Sequence, residues 1–486
     1  MSTPSKSKRI ARIIGGVYNG LATASCEGQR LENASAERLS ARTKLAYALG
    51  DHSLNLSLST LSIFYLFFLT EIGGIRPGLA GFVLFVGRVV DALADPLMGR
   101  LSDRTPWKWG RRRPYLALGA LPFGLSFALL WVDLGPGPQS EKFLFYSGVY
   151  VLHSLASTVV GVPYAALLPE LTLDYQERTT LSVWRAAGST LAILLAAVLF
   201  RRLAHLLGGL GGGYDYTRAG LVTACWLTLP WIAVYAATRE RPGFQRPSAT
   251  TFVQGLAVLT RNRVYRRLVG LYVCSRITMD LIGAMFLFWF TYWICRPEDF
   301  EFTLGLLLFA AALSLPFWLR LSAHRDKQTV FLIGTSFWLL VQCLLFGAGP
   351  GWSRDEILLL GVAAGIGFAV TDVVPWSMLA DVIDADELET GERREGLYFG
   401  TFSFLRKLAG ASAVSLAGIG LELAGFLKDE PQPPGALFAI RLLVGVVPAG
   451  FLALALWMAR GYTLSREAHA RIRAALDARA GAQLTR

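Results

Sequence analysis

Two carboxylates stand four residues apart in an otherwise apolar stretch, Gly87-Arg88-Val89-Val90-Asp91-Ala92-Leu93-Ala94-Asp95-Pro96. In a helix this spacing sets both acids on one face. A charge in hydrocarbon costs several kcal/mol, and two like charges side by side cost more. A bound cation, a shared proton or a basic partner relieves that cost. The pair therefore predicts cation binding; the alternative is a structural network with Arg88 or a place at the water interface.

Other charged residues fall in apolar stretches. Arg276 and Asp280, four apart, are placed to pair on one helix face, for structure or for solute binding and gating. Asp372 has no neighbour of opposite sign in sequence, so Arg185 or Lys407 is expected to meet it across a cavity, while His153 reads as a hydrogen-bonded packing residue. The segment Gly99-Arg100-Leu101-Ser102-Asp103-Arg104, then Trp107-Lys108-Trp109-Gly110-Arg111-Arg112-Arg113-Pro114, resembles the loop signature between the second and third helices of the major facilitator superfamily. Its expected work is gating, with Asp103, Arg104, Arg111, Arg112 and Arg113 pairing with helix ends and acids; plain orientation by positive charge is the other reading.

The elements that must position these residues are membrane helices. Of 486 residues, 53% are hydrophobic and only 17% charged, too few charges for the surface of a soluble chain of this length. The apolar residues form runs of about 20, the length that crosses a bilayer. About twelve are legible: 43–71, 78–102, 114–133, 142–169, 184–207, 217–238, 264–295, 302–322, 328–348, 355–380, 397–427 and 436–460. The net charge of +12 comes from Arg and Lys clustered in alternate loops. That is the pattern of a cytoplasmic face rather than of nucleic-acid binding. Arg201, Arg202 and Arg218 are exceptions on the opposite side. The glycine-rich run 208–213 follows no strand and reads as a connection, not a nucleotide loop. The expected layout is a cytoplasmic tail at 1–42, a six-helix bundle at 43–238, a cytoplasmic linker at 239–263, a second bundle at 264–460 and a cytoplasmic tail at 461–486, whose 463–480 stretch suits a surface helix. Thr23-Ala24-Ser25 before Cys26 is a poor signal-cleavage context. The five cysteines form no CxxC pair and read as small apolar residues, so no metal site is expected.

The halves carry a weak repeat. The fourth span ends Val162-Pro163-Tyr164-Ala165-Ala166-Leu167-Leu168-Pro169-Glu170, and the tenth ends Val374-Pro375-Trp376-Ser377-Met378-Leu379-Ala380-Asp381. Parallel six-span repeats are the layout of major facilitator transporters, with solute near the midplane between the halves.

Taken with Thr43-Lys44-Leu45-Ala46-Tyr47, Arg185, Ala380-Asp381-Val382-Ile383-Asp384 and Thr390-Gly391-Glu392-Arg393-Arg394-Glu395-Gly396, these motifs resemble the glycoside–pentoside–hexuronide:cation symporter family over about 43–460. Melibiose permease is a member and the lysophosphatidylcholine symporters are relatives. The resemblance implies cation binding by Asp91 and Asp95 with a hydroxyl from Ser403. It implies a cavity with Arg185 and Lys407. An asparagine ligand of the family is replaced by Ala94, which leaves sodium and a proton both open as coupling ion. The family's sugar-binding aspartates would fall at Asn55 and Gly161, and its stacking tryptophans near Ala165 and Asp372. Asn55 still offers a hydrogen bond, and Asp51 and His52 lie one turn before it.

The expectation is an all-α membrane protein of major facilitator fold, about twelve transmembrane helices in two six-helix pseudo-repeats. It would be a multi-pass protein of the plasma (bacterial inner) membrane with cytoplasmic termini. Its function would be symport of a small organic solute, first a sugar or glycoside, with Na+ or H+, by alternating access. A lysophospholipid or other amphiphile is the rival solute, and a non-transporting receptor or sensor the rival class. Solute-binding candidates are Asn55, Asp51, Arg185, Asp372 and Lys407. Partners are the solute and the lipid bilayer, with no nucleic acid and no obligatory protein partner. No HExxH, nucleotide loop or GxSxG is present, so no enzyme, catalytic residue or cofactor is expected.

Overall fold

A computed structural model describes residues 38–105, 107, 109–172, 174–209, 213–240, 261–392, 394–428 and 430–484. Most of the expected tail at 1–42, the centre of the 239–263 linker, Cys26, Lys108, Arg393 and part of the glycine run lie outside them. Among the described residues, twelve helices are long and apolar enough to cross a membrane. They are α1 Ala41–Phe67, α2 Pro77–Arg104, α3 Arg113–Leu130, α4 Gln139–Leu171, α5 Tyr175–Leu207, α6 Tyr216–Ala237, α7 Arg263–Phe288, α8 Phe300–His324, α9 Lys327–Gly347, α10 Arg354–Thr390, α11 Glu395–Leu423, and a twelfth span broken at Gly445 into α12 Pro434–Val444 and α13 Val446–Arg460. A further helix, α14 Arg466–Leu484, follows. The protein is a multi-pass membrane protein.

Local chemistry sets the helix ends. Ser40, Asp174, Asp215 and Asn262 each accept a backbone N–H three residues on, satisfying donors that a helix start leaves open. Ser353 and Glu356 form a reciprocal capping box at the start of α10. Two helices outrun the apolar runs that predict them. α5 begins at Tyr175, where Asp174 caps it, rather than at 184, and α10 continues to Thr390 rather than 380. Hydropathy ends where the bilayer ends, whereas α10 continues until Gly391 adopts φ 74° and turns the chain.

Packing repeats between the halves. α1 contacts α5 and α6, α2 contacts α4, and α3 contacts α4 and α6; in the second half α7 contacts α11 and α13, and α10 contacts α8 and α9. Across the halves α1 meets α7, α2 meets α11 and α5 meets α8. First meets first, and second meets fifth in both directions, as an axis along the membrane normal requires. The repeated Pro-aromatic motif follows the same symmetry. Tyr164 stacks on Tyr47 of α1 with ring centroids 4.4 Å apart, and Trp376 donates its Nε1–H to the Tyr272 hydroxyl of α7 at 3.1 Å. The acids that close the two motifs match as well. Glu170 binds Arg111 and Arg112 after α2, and Asp381 binds Lys327 after α8 at 2.6 Å.

Two faces follow from the chain path. The terminal face carries the start of α1 and the end of α13. On the far face, where the halves meet, Glu422 of α11 accepts from the Gly78 amide of α2 at 2.7 Å, and Arg201 of α5 pairs with Glu301 of α8 at 2.6 Å. Gly81 and Gly418 bring α2 and α11 into contact there, since a methyl on Gly418 would strike the Pro77 carbonyl and Gly81.

Candidate functional site

The acid pair sits at the α2–α11 contact. Lys407 of α11 places its Nζ 2.8 Å from Asp91 Oδ2 and 2.5 Å from Asp95 Oδ2. Thr158 of α4 stands on the other side, its hydroxyl 3.1 Å from Asp91 Oδ1 and 3.2 Å from Asp95 Oδ1. Asp91 is buried and Asp95 half-buried. One ammonium thus faces two carboxylates. Arg88, the alternative partner, instead donates to Ser62 at 3.1 Å.

Beside this group lies a cavity of about 470 Å³, lined from both halves by α1, α2, α5, α7, α8, α9, α10 and α11. Its midplane wall carries Asn55, Arg88, Arg276, Asp280, Asp372 and Arg406, together with serine hydroxyls including Ser403. Its far-face part comes mostly from the second half and is largely apolar, with Phe286, Trp289, Leu304, Trp338, Leu360 and Phe368, while Thr303 and Gln342 add polar groups there.

The expected residues distribute as follows. Arg276 and Asp280 form the expected pair, a bidentate one at 2.8 and 2.7 Å, on the cavity wall. Gly410 of α11 leaves the space that the Asp280 carboxylate occupies. Lys407, expected to meet solute or Asp372, is held by the acid pair, because its four-carbon stem reaches across the α2–α11 contact. Arg185 also does not reach Asp372. Its guanidinium is bound to Asp51 at 2.8 and 3.2 Å and lies over the rings of Tyr47 and Tyr164. Asn55 donates to the backbone carbonyl of Asp51 at 2.9 Å and lines the cavity, whereas Asp51 and Arg185 stand outside its wall. The hydroxyl touching both acids is Thr158's; Ser403, one turn before Lys407, lines the cavity instead. His153 bridges Ser57 and Ser126 at 2.9 and 3.0 Å inside the first half, as a packing residue does.

The loop after α2 is tied within its own half. Arg112 pairs with Asp103 at 2.6 Å and with Glu170 at 2.9 Å, Arg111 binds Glu170, and Arg113 donates to the Tyr235 carbonyl at 2.6 Å. Arg104 is exposed. Glu240 accepts the backbone N–H groups of Arg111, Arg112 and Arg113 at 2.7–2.8 Å, so a carboxylate caps the positive end of α3. On the same face α14 docks on α10, with His469 3.0 Å from Asp384 and 3.5 Å from Asp381.

Sequence reasoning missed Thr158, Glu240, Glu301 and Arg406. Thr158 and Glu240 look ordinary in sequence, one a hydroxyl in an apolar span and the other a loop acid. Arg406 is adjacent to Lys407 in an apolar helix, and that position alone marks it as worth attention.

Residues 46–466 match the family model described as MFS/sugar transport protein. The chain is similar to an uncharacterised symporter of Synechocystis sp., 32% identical with 92% of this chain and 98% of the relative covered. It is similar to a glucuronide carrier protein homolog of Escherichia coli, 30% identical over 86% and 92% of the two chains. It also resembles the sodium-dependent lysophosphatidylcholine symporter 1 of Gallus gallus, 25% identical over 93% and 92%. Among solved structures, one from a study of proton-dependent oligopeptide transporters superposes with a TM-score of 0.63 at 12% identity, over 87% of this chain and 99% of that one. A nucleoside transporter structure superposes with 0.60 at 13%, over 86% and 98%. These two show the major facilitator fold.

Proposed function

We propose, from the premise that this chain belongs to the MFS/sugar transport family and within it to the glycoside–pentoside–hexuronide:cation symporters, that Asp91, Asp95 and Lys407 are its coupling centre. The transporter moves an organic solute together with a cation, sodium or a proton, by alternating access. The terminal face is cytoplasmic in this reading, since the basic loops lie there, and the membrane is the plasma membrane of the cell. The two six-helix halves at 43–238 and 264–460 are the rocking units.

The observation that carries the reading is the ammonium of one half on the paired acids of the other. An arriving cation competes with Lys407 for the same oxygens. Binding therefore changes a contact between α2 and α11, and the energy of cation entry is linked to the arrangement of the halves. Thr158 supplies a neutral oxygen on the opposite side of the pair. A solute in the adjacent cavity touches α7, α10 and α11 and biases the same movement. The apolar far-face wall supports a solute with an apolar portion, an alkyl or aryl glycoside or a lysolipid, over a small unsubstituted sugar.

The test is uptake by proteoliposomes of a panel of glycosides, uronates and lysolipids under an imposed sodium or proton gradient. Accumulation above equilibrium is expected only with the gradient, and Asp91→Asn and Asp95→Asn should each abolish it. Gradient-driven uptake that survives both substitutions would remove the coupling assignment.

A further inference from the structure

Five charged side chains line the cavity: Arg88, Arg276, Arg406, Asp280 and Asp372. Arg276 is satisfied by Asp280 at two oxygens, and Arg88 donates to Ser62. Arg406 is different. Among the described residues its guanidinium makes no hydrogen bond and no ion pair, although it lies on the wall of a membrane-embedded cavity. Arg276, a second arginine, lines the same cavity. Asp372 lines the same cavity and forms no ion pair with it. An arginine does not shed its proton to escape such a setting. A planar guanidinium without a protein partner thus lines a space of solute size, and a fork of this kind suits a carboxylate, phosphate or sulfonate.

We propose that Arg406 is the residue by which this transporter selects its solute, and that the solute is an organic anion with an apolar body. The proposal rests on the symport reading for the identity of the cavity as the solute site. The anionic group docks on Arg406 at the midplane. The apolar body extends toward Trp289, Leu304 and Trp338; Arg276 and Phe286 are ten residues apart on α7, which places the apolar end about 15 Å from the arginines. A neutral solute of the same shape leaves the fork unpaired, and a buried site built for a charged group rejects the analogue lacking it.

Matched ligands test this on the full purified chain. Phenyl glucuronide and phenyl glucoside differ at a carboxylate; lysophosphatidic acid and monoacylglycerol differ at a phosphate. Binding followed by tryptophan fluorescence should favour the anion of at least one pair by about tenfold or more, the worth of a charge-assisted hydrogen bond. The pair that responds tells a sugar acid from a lysolipid. Arg406→Gln should reduce the preference severalfold, and Arg406→Lys should retain part of it. The ligand comparison on the unmodified chain stands even where a variant fails to fold. Neutral members binding as well as the anions, no binding of either anion, or an undiminished preference in a folded Arg406→Gln protein overturns the proposal. Gradient-driven uptake without charge preference sinks this inference and spares symport; charge-selective binding without gradient-driven uptake does the reverse.

Discussion

Arg201 of α5 and Glu301 of α8 form an ion pair of 2.6 Å between the two halves, each side chain only 6% exposed. Arg201 also donates to the Pro297 carbonyl at 3.0 Å and lies over the ring of Tyr214. This accounts for one of the arginines that break the positive-inside pattern: it is spent on a contact, not on orientation. The pair sits on the far face, where Gly81 against Gly418 and Gly78 against Glu422 also join the halves.

On the proposed alternating-access reading, opening the cavity to the far face separates Arg201 from Glu301. Removing one partner of a buried pair costs about 3–5 kcal/mol in the state that contains it. Arg201→Ala or Glu301→Ala should therefore shift the population toward the far-face-open state. With native cysteines replaced and Leu307→Cys on the cavity wall, an impermeant thiol reagent applied to the far-face side should label either variant about tenfold faster or more. Exchanging the charges, Arg201→Glu with Glu301→Arg, should bring the rate back toward that of the parent. Unchanged labelling in the single variants would show that the pair does not hold the face shut.

Thr158 donates toward Asp91 and Asp95 from the side opposite Lys407. Thr158→Val keeps the shape and removes the hydroxyl, at a cost of about 1–1.5 kcal/mol for a cation that uses it. The half-saturating concentration of the coupling ion should rise about tenfold, with solute binding at saturating ion little changed. Thr158→Ser should restore the parent value. An equal loss in the valine and serine proteins would point to packing instead.

Glu240 accepts three successive backbone N–H groups at the start of α3. Glu240→Gln leaves one oxygen to serve them and removes the charge that faces the helix dipole. The purified protein should lose about 1–3 kcal/mol of stability, read as a lowered unfolding temperature in detergent. Coupling-ion affinity should stay as it was, because the cap lies at the helix end remote from the acid pair.

The sequence by itself determined the membrane class, the twelve spans, the repeat and the acid pair. Each is a one-dimensional signal: run length against bilayer thickness, a motif recurring at the same place in each half, and spacing of four on one helix. It also placed Arg276 on Asp280, since that contact is made within one turn-and-a-bit of one helix. The tertiary structure decided which charges from different helices meet. Lys407 and Asp95 are 312 positions apart in the chain, and nothing in spacing says that the lysine turns to the acids while the adjacent Arg406 turns to the cavity. Residues 406 and 407 differ by about 100° around the helix, so two neighbouring cations face two different sites, and only the packing of α11 against α2 and α7 fixes which one faces which.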